Sequence, residues 1–411
     1  MIKKITKCRI CNSRKITKFF AFGSIPLPNG FLTKEQLKKS EKFYPLTAGY
    51  CNICGLVQLT EIVNPEEMFK NYVYIPSSSK TRMNNFETIA LQAQKKFKLK
   101  SNSLIIDIGS NDGSMLSYFK GLGYRTLGID PAENLAKIAV LKGIETINDY
   151  ISIKLSKKIK SKYGSADIIT ATNVVAHISD LPDLLLSVEQ LLSDNGVFIC
   201  EFPYLLDLIR KNQFDTIYHE HLSYFSIKPL IYLIKRSNLK LIDVQRTSID
   251  GGSLRIFLAK KSSVYKINNQ INKLFQQEIK VGLYDAKTYI KFAKNVKQLC
   301  KLLKKTLKKL KIQGKTIAGY GAAAKGNILL NYSKIDNKLI DFIVDSTSYK
   351  QGLYTPGTHI PIYPEIEIIN RQPDYVLILA WNFVKEIINK QVKYSKNGGK
   401  FIIPVPKIKI I

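Results

Sequence analysis

Four apolar runs between residues 103 and 203 constrain this chain more than any other feature: SLIIDIG, RTLGID, ADIITATNV and GVFICEFP. Each is short and uninterrupted, and segments with helical spacing (SMLSYFKGLG, NLAKIAVLKG, DLPDLLLSVEQLLS) lie between them. Buried strands that alternate with helices form a parallel, doubly wound sheet. LKLIDVQRTSIDGGSLRIFLAKK then reads as two antiparallel strands closing that sheet. SSSKTRMNNFETIALQAQKKF, which opens on serine caps, reads as an amphipathic helix ahead of it.

A length of 411 residues predicts two to three domains. The expected fold class is α/β in four segments: a small N-terminal domain (1–75), a central Rossmann-like domain (76–266), a helical connector (267–312) and a C-terminal Rossmann-like domain (313–411). In the connector, Val296, Leu299, Leu303, Leu307 and Leu310 recur at helical spacing with Lys between them, so one face packs and the other is solvated. The last unit opens with KTIAGYGAAAKGNILLNY and continues with the strands LIDFIVD and DYVLILAW.

No apolar run reaches membrane-spanning length, and the first residues carry no apolar leader, so a soluble cytoplasmic chain is expected. The formal charge of +31 suggests nucleic acid, but only nine of the 63 basic residues are Arg and the Lys are dispersed. The expectation is therefore no nucleic-acid partner and no membrane. An anionic small substrate suits the charge equally well. Nothing in the sequence demands a second subunit, and a monomer is expected.

Cys8 and Cys11, then Cys51 and Cys54, form two C-x-x-C knuckles. Each two-residue gap lets both thiolates of a knuckle face one ion, and four sulfurs complete the shell of a structural Zn2+ with no position left for catalysis. The 39 residues between the knuckles imply a small domain wrapped around the metal. Cys200 and Cys300 fall in a strand and a helix and read as packing residues.

In LIIDIGSNDGSML, Asp107 ends a strand, Gly109 and Gly113 open a turn, and a helix follows. Asp130, at the end of the next strand, can take both ribose hydroxyls of a nucleoside. A dinucleotide fingerprint would have a further Gly, and Asp112 would set negative charge against the phosphates. S-adenosylmethionine has no phosphate and carries a cationic sulfonium, so it is the expected cofactor. Asn111, Pro131 and Asn173 complete its expected contacts, and His177 follows at the same sheet edge, facing cofactor or substrate or serving as a cap.

DTIYHEHLSYFS holds two of the four histidines, His219 and His221, around Glu220. Three readings are open: a metal site, two buried structural histidines, or a general base flanked by Tyr218, Glu220 and Tyr224. An extended segment would turn Glu220 away from the histidines and leave a metal without a third ligand. A histidine base suits proton removal near neutral pH, with a carboxylate to orient it. GYGAAAKGN could cradle phosphate at a helix start with Lys325 adding charge, or be a tight packing turn.

Taken together, the C-x-x-C pair, PLPNGFL, MFKNYVYIPSSS, DIGSNDG, NVVAHI, YHEHLSYFS, GGSLR and GYGAAAKGN resemble the bacterial nucleotide-sugar C-methyltransferases almost end to end. The resemblance implies that a nucleotide-linked 4-keto sugar is enclosed by three domains and methylated on carbon 3 through an enolate. It implies His221 as base with Glu220 assisting, Tyr218 on a sugar or enolate oxygen, and Tyr74 reaching the sugar. His177, Tyr224, Ser253 and Arg255 join the implied substrate set, GGSLR being equally a sheet-closing strand. Tyr320, Lys325 and Asn327 would hold the nucleotide. Asp250 stands where many relatives carry His, and Asp130 where many carry Glu. Two other classes remain: an NAD-dependent nucleotide-sugar oxidoreductase or epimerase using the C-terminal unit, and a zinc-containing nucleic-acid-binding protein.

Overall fold

The structure, a computed structural model, describes residues 2–69 and 75–411 of the chain. Seven strands form the central sheet, in the order Leu239–Thr247, Ser253–Lys260, Leu192–Pro203, Ala166–Thr172, Leu104–Ile108, Arg125–Ile129 and Thr146–Ile147. The last five are parallel, and the first two close the sheet antiparallel. Every residue of Leu104–Ile108 is buried, as expected of a strand covered on both faces. The helix Lys80–Phe97 begins at Ser79, whose side chain accepts from the Arg82 N–H, so the serine cap sets its start. The strand order reverses between Leu104–Ile108 and Ala166–Thr172, and open α/β sheets place ligands outside the carboxyl ends of strands at such a reversal.

The N-terminal sheet is antiparallel, in the order Ser223–Tyr224, Val57–Leu59, Tyr44–Cys51, Ile16–Ile25. Its first strand is supplied by the stretch that directly follows His221. The sequence does not signal this, because two residues carry no periodicity. Residues 218–221 are a turn, with the His221 N–H donating to the Tyr218 carbonyl at 2.9 Å, so the strand geometry considered for this stretch is not the one it adopts.

The C-terminal sheet is parallel through Ile362–Tyr363, Phe342–Val344, Ile317–Tyr320, Tyr375–Ile378 and Lys400–Ile403, with Lys409–Ile410 antiparallel at the edge. The connector is two helices, Gln270–Lys280 and Ala286–Ile312. The second buries Phe292, Val296, Cys300, Leu303, Leu307 and Leu310. Its aromatic end packs on the N-terminal sheet, Tyr289 lying 4.7 Å from Tyr50 and 4.8 Å from Phe19 between ring centroids. Each buried ring contributes about 1.5–3 kcal/mol, so the connector fastens the N-terminal sheet as well as bridging two units. PLPNGFL docks on the C-terminal unit: Leu32 and Tyr354 exchange backbone hydrogen bonds, and Asn327 donates to the Pro28 carbonyl at 2.6 Å.

Candidate active site

A cavity of about 610 Å³ opens at the strand-order reversal and is walled by the central unit, the C-terminal unit and, from the N-terminal part, residues that include Asn29 and Pro65. At its cofactor end, Asp107, Gly109, Asn111, Asp130, Pro131 and Asn173 all line the wall. Gly109 has φ +69°, and a Cβ there would stand 2.3 Å from Val174, so only glycine lets the loop pass this close. Asp130 accepts the Asn111 N–H on one oxygen and the Ala132 N–H on the other, both at 2.8 Å. Its remaining lone pairs are left for ribose hydroxyls. Burial pushes the Asp107 carboxyl up to about 7, opposed by a 2.6 Å hydrogen bond from Thr170. The bare loop and the fastened carboxylate fit a nucleoside without phosphates.

Two parts of the loop differ from expectation. Gly113 is absent from the cavity wall; it starts the helix Ser114–Gly121 at φ +76°, where a Cβ would press on Ile144 and Ala139. Asp112 turns inward, its side chain wholly buried, binding the Ser114 hydroxyl and Lys142 at 2.6 Å each. Its charge is thus neutralised by Lys142 rather than offered to a ligand.

At the other end, His177, Tyr218 and His221 line the cavity together. The His221 ring is 5.0 Å from His177 and 4.0 Å from Tyr218, centroid to centroid. His221 Nδ1 lies 2.8 Å from the Thr216 carbonyl, an acceptor only, so Nδ1 carries the proton and Nε2 the lone pair. Burial, then the neighbouring His177, hold the His221 pKa well below the usual 6.5. Glu220 was expected to orient this ring. Instead the Thr216 carbonyl does, while Glu220 lies behind the wall and accepts from Asn29 at 2.6 Å. His219 points elsewhere, with Nε2 3.3 Å from the Tyr44 carbonyl. Tyr74 lies outside the described residues.

Tyr320 and Lys325 face the cavity from the C-terminal unit, Tyr320 bonded to Glu365 and Lys325 lying 5.1 Å above the Trp381 ring. Four expected substrate residues do not reach it. Tyr224 is enclosed in the strand that joins the N-terminal sheet, and Asn327 is committed to Pro28. Ser253 donates to the Ile249 carbonyl, and Arg255 is buried against Glu201 and Asn85, so GGSLR closes the sheet.

Three residues without an expected role emerge. Asp250 lines the cavity at φ +55°, both oxygens 2.8 Å from Arg82 Nη2 and one 3.1 Å from Asn173 Nδ2. Burial pushes its carboxyl up, but Arg82 and Lys325 outweigh that and hold it at about 2. Asn29 was visible only as part of PLPNGFL, and nothing local marks Arg82.

The four cysteine sulfurs lie within 4.8 Å of one another, with Cys8–Cys54 and Cys11–Cys51 at 3.5 Å. Four thiolates at a Zn–S length of about 2.3 Å stand about 3.8 Å apart, so the set fits a closed structural zinc site. Among the described residues no other group of His, Cys, Asp or Glu comes together this way, the YHEH stretch included.

Three family models match in chain order: "Putative zinc binding domain" over residues 8–69, "Methyltransferase domain" over 82–244 and "C-methyltransferase C-terminal domain" over 248–406. C-methyltransferase NovU from Streptomyces niveus is 33% identical over 411 residues, covering 100% of this chain and 98% of that protein. A crystal structure of a SAM-dependent methyltransferase from Anabaena variabilis aligns with 47% of this chain and 98% of its own, at 12% identity and a TM-score of 0.36, a likeness too slight to bear on function. The full-length identity and the ordered models settle the kinship: the chain belongs to the C-methyltransferases that join a zinc-binding N-terminal domain to an S-adenosylmethionine-dependent core.

Proposed function

We propose that the chain methylates carbon 3 of a nucleotide-linked 4-keto deoxysugar, with His221 removing the carbon 3 proton. The observation that carries this reading is the hydrogen bond from His221 Nδ1 to the Thr216 carbonyl, which leaves Nε2 as the basic atom of a ring on the cavity wall. The ketone acidifies the adjacent C–H, Nε2 takes that proton, and the electron pair passes into an enolate. S-adenosylmethionine, when bound, supplies an electrophilic methyl group. Tyr218, beside the His221 ring, would bond a sugar or enolate oxygen; Tyr74 is assigned the same region from the resemblance alone. His177 lines the cavity beside His221, with the ring centroids 5.0 Å apart. Lys325, at the start of the helix Ala324–Ser333, and Tyr320 offer a cation and a phenol to a nucleotide diphosphate. The full-length kinship to a C-methyltransferase supports this reading over the NAD-dependent alternative.

Mass spectrometry after incubation with S-adenosylmethionine and a panel of nucleotide 4-keto sugars tests the reading. One methyl gained with loss of a carbon 3 deuterium label is expected; a methyl gained with that label retained would place the chemistry elsewhere.

The pH dependence follows from the depressed pKa. His221 in the free enzyme is neutral, and so competent as a base, at and above pH 6.5, and protonation silences it only well below that. The acid limb of kcat/KM, which reports the free enzyme's base, is expected below pH 6.5. A limb at or above 6.5 would count against His221.

A further inference from the structure

Arg9 stands between the two cysteines of the first knuckle and is only 9% exposed. Its Nη1 donates to the Leu222 carbonyl at 2.8 Å and to Gln58 Oε1 at 3.2 Å, and its own N–H reaches the same Gln58 oxygen. These acceptors are neutral. Its Nε and Nη2 are buried with no acceptor, and no Asp or Glu forms an ion pair with it, among the described residues. A buried cation without a counter-charge is strongly destabilising. Four thiolates around one Zn2+ carry a net charge of −2, and bound ions are often the largest charges in a site. A zinc–thiolate cluster at the flanking Cys8 and Cys11 would supply the negative charge that Arg9 otherwise lacks.

The Leu222 peptide is held from three sides. Its carbonyl accepts from Arg9 and from the Leu59 N–H at 3.0 Å, and its own N–H donates to the Ala176 carbonyl at 2.7 Å. Leu222 follows His221, and Ala176 precedes His177. The next two residues, Ser223 and Tyr224, pair with Gln58 and Val57 of the N-terminal sheet.

We propose that Arg9 is a positioning residue that serves as counter-cation to the zinc–thiolate cluster and clamps the Leu222 carbonyl, so that the metal site sets the placement of His221 against His177. The activity part rests on the reading of His221 as base; the metal part does not.

The test uses the zinc-loaded full chain with Arg9→Met, similar in size but uncharged, and Arg9→Lys. Partners behind a metal's own ligands affect metal affinity or activity by about 10–100-fold. In Arg9→Met, zinc retention against a chromogenic chelator and kcat are each expected to fall by that factor, with the KM for S-adenosylmethionine unchanged. Arg9→Lys keeps the charge on a shorter side chain without the guanidinium that reaches the Leu222 carbonyl, and is expected to recover zinc retention more fully than kcat. Wild-type zinc retention and kcat in Arg9→Met would overturn the proposal. So would a zinc-loaded Arg9→Met with normal kcat, or one whose cofactor affinity and kcat fall together as in general unfolding. If His221→Ala remains active while Arg9→Met still sheds zinc, the reading of the base fails and the Arg9–zinc link stands.

Discussion

Replacing His221 with Ala is expected to lower kcat by about 10²–10⁴-fold, the usual contribution of a positioned general base, while S-adenosylmethionine binds as in the wild type. The two effects separate because the cofactor contacts and the imidazole come from different elements. Gly109 and Asn111 follow the strand Leu104–Ile108 and Asp130 follows Arg125–Ile129; His221 sits in a turn pinned to Thr216, Ala176 and the N-terminal sheet. Calorimetric titration with the cofactor, beside single-turnover kinetics, measures both. His219→Ala is the matched control. It removes an equally buried imidazole that contacts the Tyr44 carbonyl rather than the cavity, so it should cost stability without a comparable loss in the chemical step. An His221→Ala enzyme within tenfold of wild-type kcat would remove His221 from the role of base.

What was legible in the sequence was whatever local pattern determines. The strand–helix alternation, the Ser79 cap, the helical spacing of Val296 to Leu310 and the two cysteine knuckles each depend on residues close in the chain, and each appears in the structure. What escaped depends on contacts distant in sequence. The direction of Glu220 is decided by the turn at 218–221 and by Asn29, some 191 residues away. Arg255 could have faced a ligand until Glu201 and Asn85 enclosed it. Asp250 stood out in the sequence only as the position where many relatives carry His; its left-handed conformation and its bond to Arg82, 168 residues away, appear only in the fold. Loop composition reveals that a turn exists, and packing from elsewhere decides what the turn presents.

Replacing Cys54 with Ser should abolish stoichiometric zinc binding and loosen the N-terminal sheet, with kcat falling further than cofactor affinity. Cys54 is fully buried, its sulfur 3.5 Å from that of Cys8, so the hydroxyl of Ser would leave three thiolates and a poor fourth ligand without water to complete the shell. Zinc contributes on the order of 10 kcal/mol in small units that fold around it, comparable to the whole stability of an ordinary domain, about 5–15 kcal/mol. This unit has further support. Tyr50 and Phe19 pack on Tyr289, and Leu32 bonds to Tyr354, so partial loosening is expected rather than full unfolding of the chain. The central sheet holds the cofactor loop independently of these contacts, whereas the strand Ser223–Tyr224 belongs to the N-terminal sheet and adjoins His221. Metal analysis, thermal melting and cofactor titration on one preparation would resolve the effects. Full zinc occupancy with unchanged kcat would mean that the fourth thiolate is dispensable; zinc loss with equal losses of cofactor binding and turnover would mean that the metal supports the whole chain rather than the side that carries the base.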